Sequence, residues 1–389
     1  MTSGFNQDVF RWARESAGLA LEDAARLIGI VPPSLVAIED GDRAPSRTNL
    51  ANMAKAYRRS LLTFYLPVPP QKGDRGEDFR TVVAEQSVAA EASIDALLRD
   101  LRARQSLVRT VLEDEEGSRP FDFVGSGSIQ DGVVSLCRRI ESQLGLTREL
   151  YRAQSNTDAA FALLREKTEE AGVFVLLAGN PGSHHSAIPV EAFRGFAIAD
   201  SIAPFIVIND GDAKAAWAFT LLHELAHLWL GATGVSGGGF QERAIERFCN
   251  DVAGEFLLPI SDVQTIQIAG LDSNAQIAVI SDQASKWRVS RKMVAYGLYK
   301  ARLITLDTWK ILDSTIHQLR LAERRRERES ARSKEGGPSY YVIRRHRLGH
   351  AMLRFANRAM DAGTLSPAKA AKVLGVKPRS VYPLLAVAA

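Results

Sequence analysis

Two histidines four residues apart with a glutamate between them, His223-Glu224-Leu225-Ala226-His227, are the part of this chain best able to do chemistry. On a helix, residues four apart project from one face about 6 Å apart along the axis, so two imidazoles can grip one divalent ion. Glu224 is rotated by one residue from His223, which sets its carboxylate beside the metal and not on it. A general base belongs there, within reach of a water that the ion acidifies. A structural zinc takes four protein ligands and a catalytic zinc takes three, so a third ligand is sought downstream. Residues 241–259 supply the candidates: Glu242, Glu246 and Asn250 recur at i, i+4 and i+8 on one helical face, and Pro259 ends the helix. Glu246 is the favoured ligand, because Asn250 one turn later can then accept the second ring N–H of a ligand histidine and fix its tautomer. Glu242 is the rival ligand, and a solvated charged face is the plain alternative for both.

The elements that must hold these groups are legible around them. Residues 213–230 read as one helix, with Ala215, Phe219, Leu222, Ala226 and Leu230 on an apolar stripe and Gly231 as a stop. A short buried strand, Phe205-Ile206-Val207-Ile208-Asn209, precedes it and ends in the turn residues Asp210, Gly211 and Asp212. Two further strands are expected at 173–177 and 194–198, with helices at 131–145 and 158–172. A small sheet beside two ligand-bearing helices is an α+β core in a mainly helical chain. Its edge can pair with an extended peptide. Cys249 falls near the face of Glu246, where a small buried thiol is the ordinary reading and a redox or metal role the sharper one. His184 and His185 sit in a polar loop that either shapes a cleft or is simply a loop tip.

With these runs in order, Phe193-Arg194-Gly195-Phe196-Ala197, Ile206 to Asn209, His223 to His227 and Glu246-x-x-Cys249-Asn250 closing in Leu257-Leu258-Pro259, the chain resembles the ImmA/IrrE family of zinc metallopeptidases. The resemblance implies a zincin-like peptidase with Zn2+ held by His223, His227 and Glu246, and Glu224 as base. Cys249 stands where the family has alanine and Val252 where it has phenylalanine; neither change removes a ligand. The resemblance also implies a narrow substrate, a helix-turn-helix repressor cleaved to release stress, phage or mobile-element genes. The donor that stabilises the oxyanion is not identified, and Tyr296 and His317 are candidates.

A second signature lies in residues 1–66. A helix at 9–18 and a short second helix at 21–29 both end in glycine, and a third begins at Pro33, where a missing N–H does no harm. Ser46 is placed as the cap of further helix from Asn49 to Phe64. Two short helices joined at a glycine form a helix-turn-helix. The spacing of Gly18, Ala24-Ala25, Gly29-Ile30, Ile38-Glu39-x-Gly41 and Pro45-Ser46 is similar to the XRE/Cro-type family, which implies DNA binding. The start of its third helix, Val31-Pro32-Pro33-Ser34, offers few side chains able to pair with base edges, leaving Ser34 for bases and Arg43 and Arg47 for phosphates. A domain that docks protein or dimerises is the alternative.

The 389 residues, 46% of them hydrophobic, are enough for several packed units, and a net charge of +4 rules out a polycation. Two cysteines argue against a disulfide framework. No apolar run reaches the ~18 residues of a membrane span and the N-terminus lacks a signal-peptide core, so a cytoplasmic protein is expected. The expected division is a helix-turn-helix domain at 1–66, a linker and helical connector at 67–129, the peptidase core at 130–262, a helical, helix-turn-helix-like region at 263–335, and a helical extension at 336–389. The arginine-rich run 323–332, mixed with glutamates, reads as a solvated helix end. The rival functional class is a non-proteolytic regulator or antitoxin whose metal site is structural or sensory.

Overall fold

The computed structural model describes residues 5–70, 88–115, 118–179, 188–190, 192–231, 240–332 and 339–386. Its Cα positions group into two compact units, Met1–Ala103 with Asn180–Phe193, and Arg104–Gly179 with Arg194–Ala389.

The first unit begins with four helices, α1 (Gln7–Glu15), α2 (Leu21–Ile28), α3 (Pro32–Glu39) and α4 (Arg47–Ala56). Each boundary has a local cause. Asn6 and Ser46 cap α1 and α4 through their side chains, Gly29 ends α2 in the left-handed region at φ 82°, and prolines open α3. The side chains of Phe10, Ala24, Ile28, Leu35, Ile38, Met53, Tyr57 and Phe64 make one buried core. The helix expected to continue to Phe64 stops at Ala56. The chain reverses through Arg58 (φ 52°) and resumes as a short 3-10 turn at Leu61–Tyr65, which stacks Phe64 on Phe10 with ring centroids 5.3 Å apart. Burying Phe64 in the same core requires that reversal. A 26-residue helix, α5 (Val88–Glu113), follows, belonging to this unit as far as Ala103 and to the second from Arg104; its Ile94, Leu97, Leu98, Leu101 and Val108 are buried.

The second unit contains α6 (Val133–Leu144), α7 (Arg148–Arg152), α8 (Thr157–Glu170) and the strands β1 (Phe174–Leu177), β2 (Gly195–Ile198) and β3 (Phe205–Ile208). They are followed by α9 (Lys214–Trp229), α10 (Phe240–Leu257), α11 (Ile260–Val263), α12 (Ser273–Trp287), α13 (Arg291–Lys300) and α14 (Leu306–Arg332). The last elements are α15 (Tyr340–Asp361), α16 (Pro367–Val373) and α17 (Val381–Ala386). The fold is therefore α+β and mainly helical, with a sheet of order β1-β3-β2. β3 runs parallel to β1, pairing Phe205 with Phe174, and antiparallel to β2, pairing Ile208 with Gly195. All eight residues of β1 and β3 are buried, so these strands read as unbroken apolar runs instead of alternating ones.

The C-terminal extension is tied to this core through α8. Arg165 donates to Glu169 Oε1 at 3.0 Å, to the carbonyl of His346 at 2.6 Å and to the carbonyl of Val175. Glu169 Oε2 accepts the backbone N–H groups of His350 (2.8 Å) and Ala351 (3.0 Å), the first donors after the break at Gly349. Gly349 is at φ 77°, and a Cβ there would meet Glu169 Oε1 at 2.0 Å, so only glycine fits. Within the expected helical extension, α15 starts at Tyr340 and bends at Gly349 to bring its second segment onto β1, with Phe355 edge-on to Phe174.

Candidate metal centre

α9 is apolar nearly all round: Trp217, Leu221, Leu222, Leu225, Ala226, Leu228 and Trp229 are all buried, as expected of a helix enclosed on every side. It enters from β3 through a turn tightened by Asn209 Oδ1, which accepts the Gly211 N–H, and by Asp210 Oδ1, which accepts the Gly179 N–H. Its C-terminal carbonyls are met by a loop from before α6: Gly125 N–H donates to Leu228 O at 3.0 Å and Gly127 N–H to Trp229 O at 2.8 Å. Polar side chains on such a helix sit in a dry environment and must face one another.

They do. The Nε2 atoms of His223 and His227 lie 3.0 Å apart. From α10, packed along α9, the Glu246 carboxylate reaches both rings, with Oε2 3.4 Å from His223 Nε2 and Oε1 3.1 Å from His227 Nε2. One donor atom from each residue lies within 4.8 Å of the others. Phe219, one turn before His223, stacks on its ring with centroids 6.4 Å apart. Burial lowers the His223 pKa; the Glu246 carboxylate, which accepts from the ring, opposes that shift, and His227 reinforces it. The ring is thus held in the neutral form that a metal requires.

Two imidazole nitrogens and a carboxylate form a donor set suited to zinc. The 3.0 Å between the two Nε2 atoms is close to the edge of a tetrahedron with bonds near 2.05 Å, roughly 3.3 Å, and each ring has a Glu246 oxygen at 3.1–3.4 Å. With protons in place of an ion, the same contacts are hydrogen bonds. The residues therefore fit the group, and they leave a side of it open, since the Glu246 side chain is 27% exposed while that of His227 is 3% exposed.

Glu224 is buried beside these donors on α9. The close approach of β2 shapes its position: a Cβ on Gly195 would meet Thr220 Cγ2 at 2.5 Å, Glu224 Oε1 at 2.9 Å and Val207 O at 3.1 Å. Sequence reasoning missed this packing, although a glycine inside a strand is the usual mark of a close neighbour. Cys249, wholly buried, hydrogen-bonds to His227; burial raises its pKa, and that hydrogen bond opposes the rise. Both cysteines are free and buried.

The remaining site expectations divide. The expected bond from the second ring N–H of His223 to Asn250 is not formed, since His223 Nδ1 is buried with no hydrogen-bond partner, while Tyr296 packs in an aromatic cluster with Tyr299 and Trp309, and His317 is exposed on α14. His317 is not part of the His223, His227 and Glu246 group among the described residues. The Glu242 side chain and the loop with His184 and His185 lie outside the described residues. In the first unit Ser34 accepts a hydrogen bond from Arg43 Nη1 at 3.2 Å, and Arg43 and Arg47 are exposed. Glu39, from the Ile38-Glu39 motif, is committed to structure: Arg14 grips both its oxygens at 2.8 and 2.9 Å inside the domain. No helix among the described residues is long and apolar enough to cross a membrane.

Residues 169–299 match the Peptidase_M78 family, described as an IrrE N-terminal-like domain, and residues 10–64 match the Helix-turn-helix family. The first match covers β1 to α13 and contains all four residues of the centre; the second covers the four-helix core of the first unit. Neither the curated proteins nor the solved structures hold a match to the chain.

Proposed function

We propose that this chain is a zinc-dependent endopeptidase that cleaves a helix-turn-helix repressor in the cytoplasm and thereby switches on the genes which that repressor silences. The observation that carries this reading is the convergence of His223, His227 and Glu246, with the buried carboxylate of Glu224 one residue along the same helix. His223, His227 and Glu246 would hold the metal. When bound, the metal supplies Lewis acidity that polarises the scissile carbonyl and makes water nucleophilic near neutral pH. Glu224 takes a proton from the attacking water and passes it to the leaving amine. The apolar walls of α9 and β3 exclude bulk water from the buried carboxylate. Residues 1–66 are read as the DNA-binding part, bringing the enzyme to the operators where its substrate resides, either as a monomer or as a homodimer.

The test incubates the purified chain with zinc and each helix-turn-helix repressor encoded beside its gene, and reads products by mass spectrometry. One defined cleavage product is expected, and Glu224→Gln should bind the metal yet lower the rate by about 10²–10⁴-fold. A wild-type chain that holds zinc and cuts none of these proteins, with Glu224→Gln indistinguishable in its effect on the genes, refutes the peptidase and leaves a metal-bearing regulator.

A further inference from the structure

Direct readout of DNA by a helix-turn-helix relies on side chains at the start of the second helix of the motif, which reach base edges in the major groove. Here that helix is α3, and its leading residues are Val31, Pro32, Pro33 and Ser34. Prolines fill its first two positions and have no side-chain donors or acceptors. Its outer face continues with Val36, while Leu35 and Ile38 turn inward to the core. Val31 is 62% exposed, Val36 39%, and Leu27 at the end of α2 57%. These branched aliphatic side chains stand beside the turn and take no part in the domain's buried core. The one hydroxyl in the run, on Ser34, already accepts a hydrogen bond from Arg43.

Hydrogen-bond readout of guanine or adenine requires Arg, Lys, Asn or Gln; α3 itself carries none, and Arg43, which reaches its start from the following turn, is engaged with Ser34 at 3.2 Å. The recognition mode left to methyl-bearing side chains is contact with the C5-methyl group of thymine, the one apolar group that a base presents in the major groove. Cations suited to phosphates flank the face in sequence: Arg43 lies in the turn after α3, and Arg47 in the first turn of α4. Asp40 in the same turn is neutralised by Arg11 at 2.7 Å. The matched segment 10–64 holds eight Lys and Arg against six Asp and Glu, so phosphate contacts are few and the apolar contacts carry a large share of discrimination.

We infer that the helix-turn-helix reads thymine methyl groups through Val31 and Val36, giving preference for thymine over uracil or cytosine at one or two positions of each half-site. This rests on the DNA-binding reading of residues 1–66. A groove rich in thymine is therefore the expected operator, recognised with shallow salt dependence.

The experiment selects duplexes from a random library with the full chain at about 50 mM salt. The enriched duplex is then compared with the same sequence carrying uracil for each thymine in turn. Loss of one methyl contact should weaken binding about fourfold at each reading position, the effect of one buried methyl group. Val31→Ala should bind the thymine and uracil duplexes alike at its position, with an unchanged melting temperature because Val31 is outside the core. Equal affinity of the wild-type chain for thymine and uracil duplexes overturns the inference and leaves DNA binding intact. Failure to enrich or retain any duplex at low salt overturns the DNA-binding reading itself, and with it this inference, in favour of a protein-docking surface.

Discussion

Replacing Gly195 by alanine tests whether β2 sets the position of Glu224. The added Cβ arrives 2.5 Å from Thr220 Cγ2, 2.9 Å from Glu224 Oε1 and 3.1 Å from Val207 O. Val207 is fixed in the central strand by its pairing with Phe196, so the two α9 side chains must give way. Overpacking of this kind costs about 1–3 kcal/mol. For a unit of this size that lowers the melting temperature by roughly 4–8 °C at the middle of the range. Thr220→Ser removes the atom in the tightest clash, so Gly195→Ala should cost about 1 kcal/mol less in that background. The metal donors are not among the clashing atoms, so zinc content should stay at the wild-type level. Displacing Glu224 by up to an ångström should lower cleavage by about 100-fold. The assays are thermal unfolding of the four proteins of the cycle, zinc by mass spectrometry, and cleavage of the repressor substrate. Strict additivity of the two substitutions, or loss of zinc from Gly195→Ala, would refute the argument that β2 acts on Glu224 through direct contact.

Glu246→Ala should fold and yet lose zinc affinity by more than the roughly 10–100-fold typical of losing a supporting partner, as measured by competition with a chelator. Arg165→Ala leaves Glu169 buried without its cation and should destabilise the second unit by about 3–5 kcal/mol, as measured by urea unfolding. Burial pushes the Cys137 thiol up to about 12, so it should resist alkylation at pH 8 until the protein unfolds. Because the folded pKa is the higher one, the stability linked to this thiol is full below its unfolded value and is lost as pH rises from there toward 12. The metal-free protein should show the opposite trend in acid: the His223 pKa is lowered by burial, so its contribution is present above pH 6.5 and lost as pH falls below it, which unfolding curves from pH 8 to 5 would show.

Much of the architecture was legible because local rules decide it. The glycine at the end of α2, the prolines opening α3 and the serine cap of α4 act within one turn of chain, and each was read from residue type alone. β1 and β3 announced themselves as apolar runs of strand length. The illegible parts depend on distant partners. The reversal after Ala56 occurs because Phe64 finds Phe10, and the bend at Gly349 because Glu169, 180 residues earlier, waits for the N–H groups beyond it.

The same division holds at the centre. Helical periodicity alone puts His223 and His227 on one face and Glu224 beside them, because a turn of helix fixes those relations before any packing occurs. It also puts Glu242, Glu246 and Asn250 on one face, but it cannot say which carboxylate meets the histidines. That depends on how α10 lies along α9, where Cys249, Val252 and Phe256 bury against the α9 core and bring Glu246 within 3.4 Å of both rings. Tertiary packing likewise decided that Glu224 would sit under Gly195 in a dry setting, since burial is a property of neighbours that come from elsewhere in the chain. The sequence by itself determined which groups could act on a metal and a peptide; only the tertiary structure decided their distances and their dielectric surroundings, on which that chemistry depends.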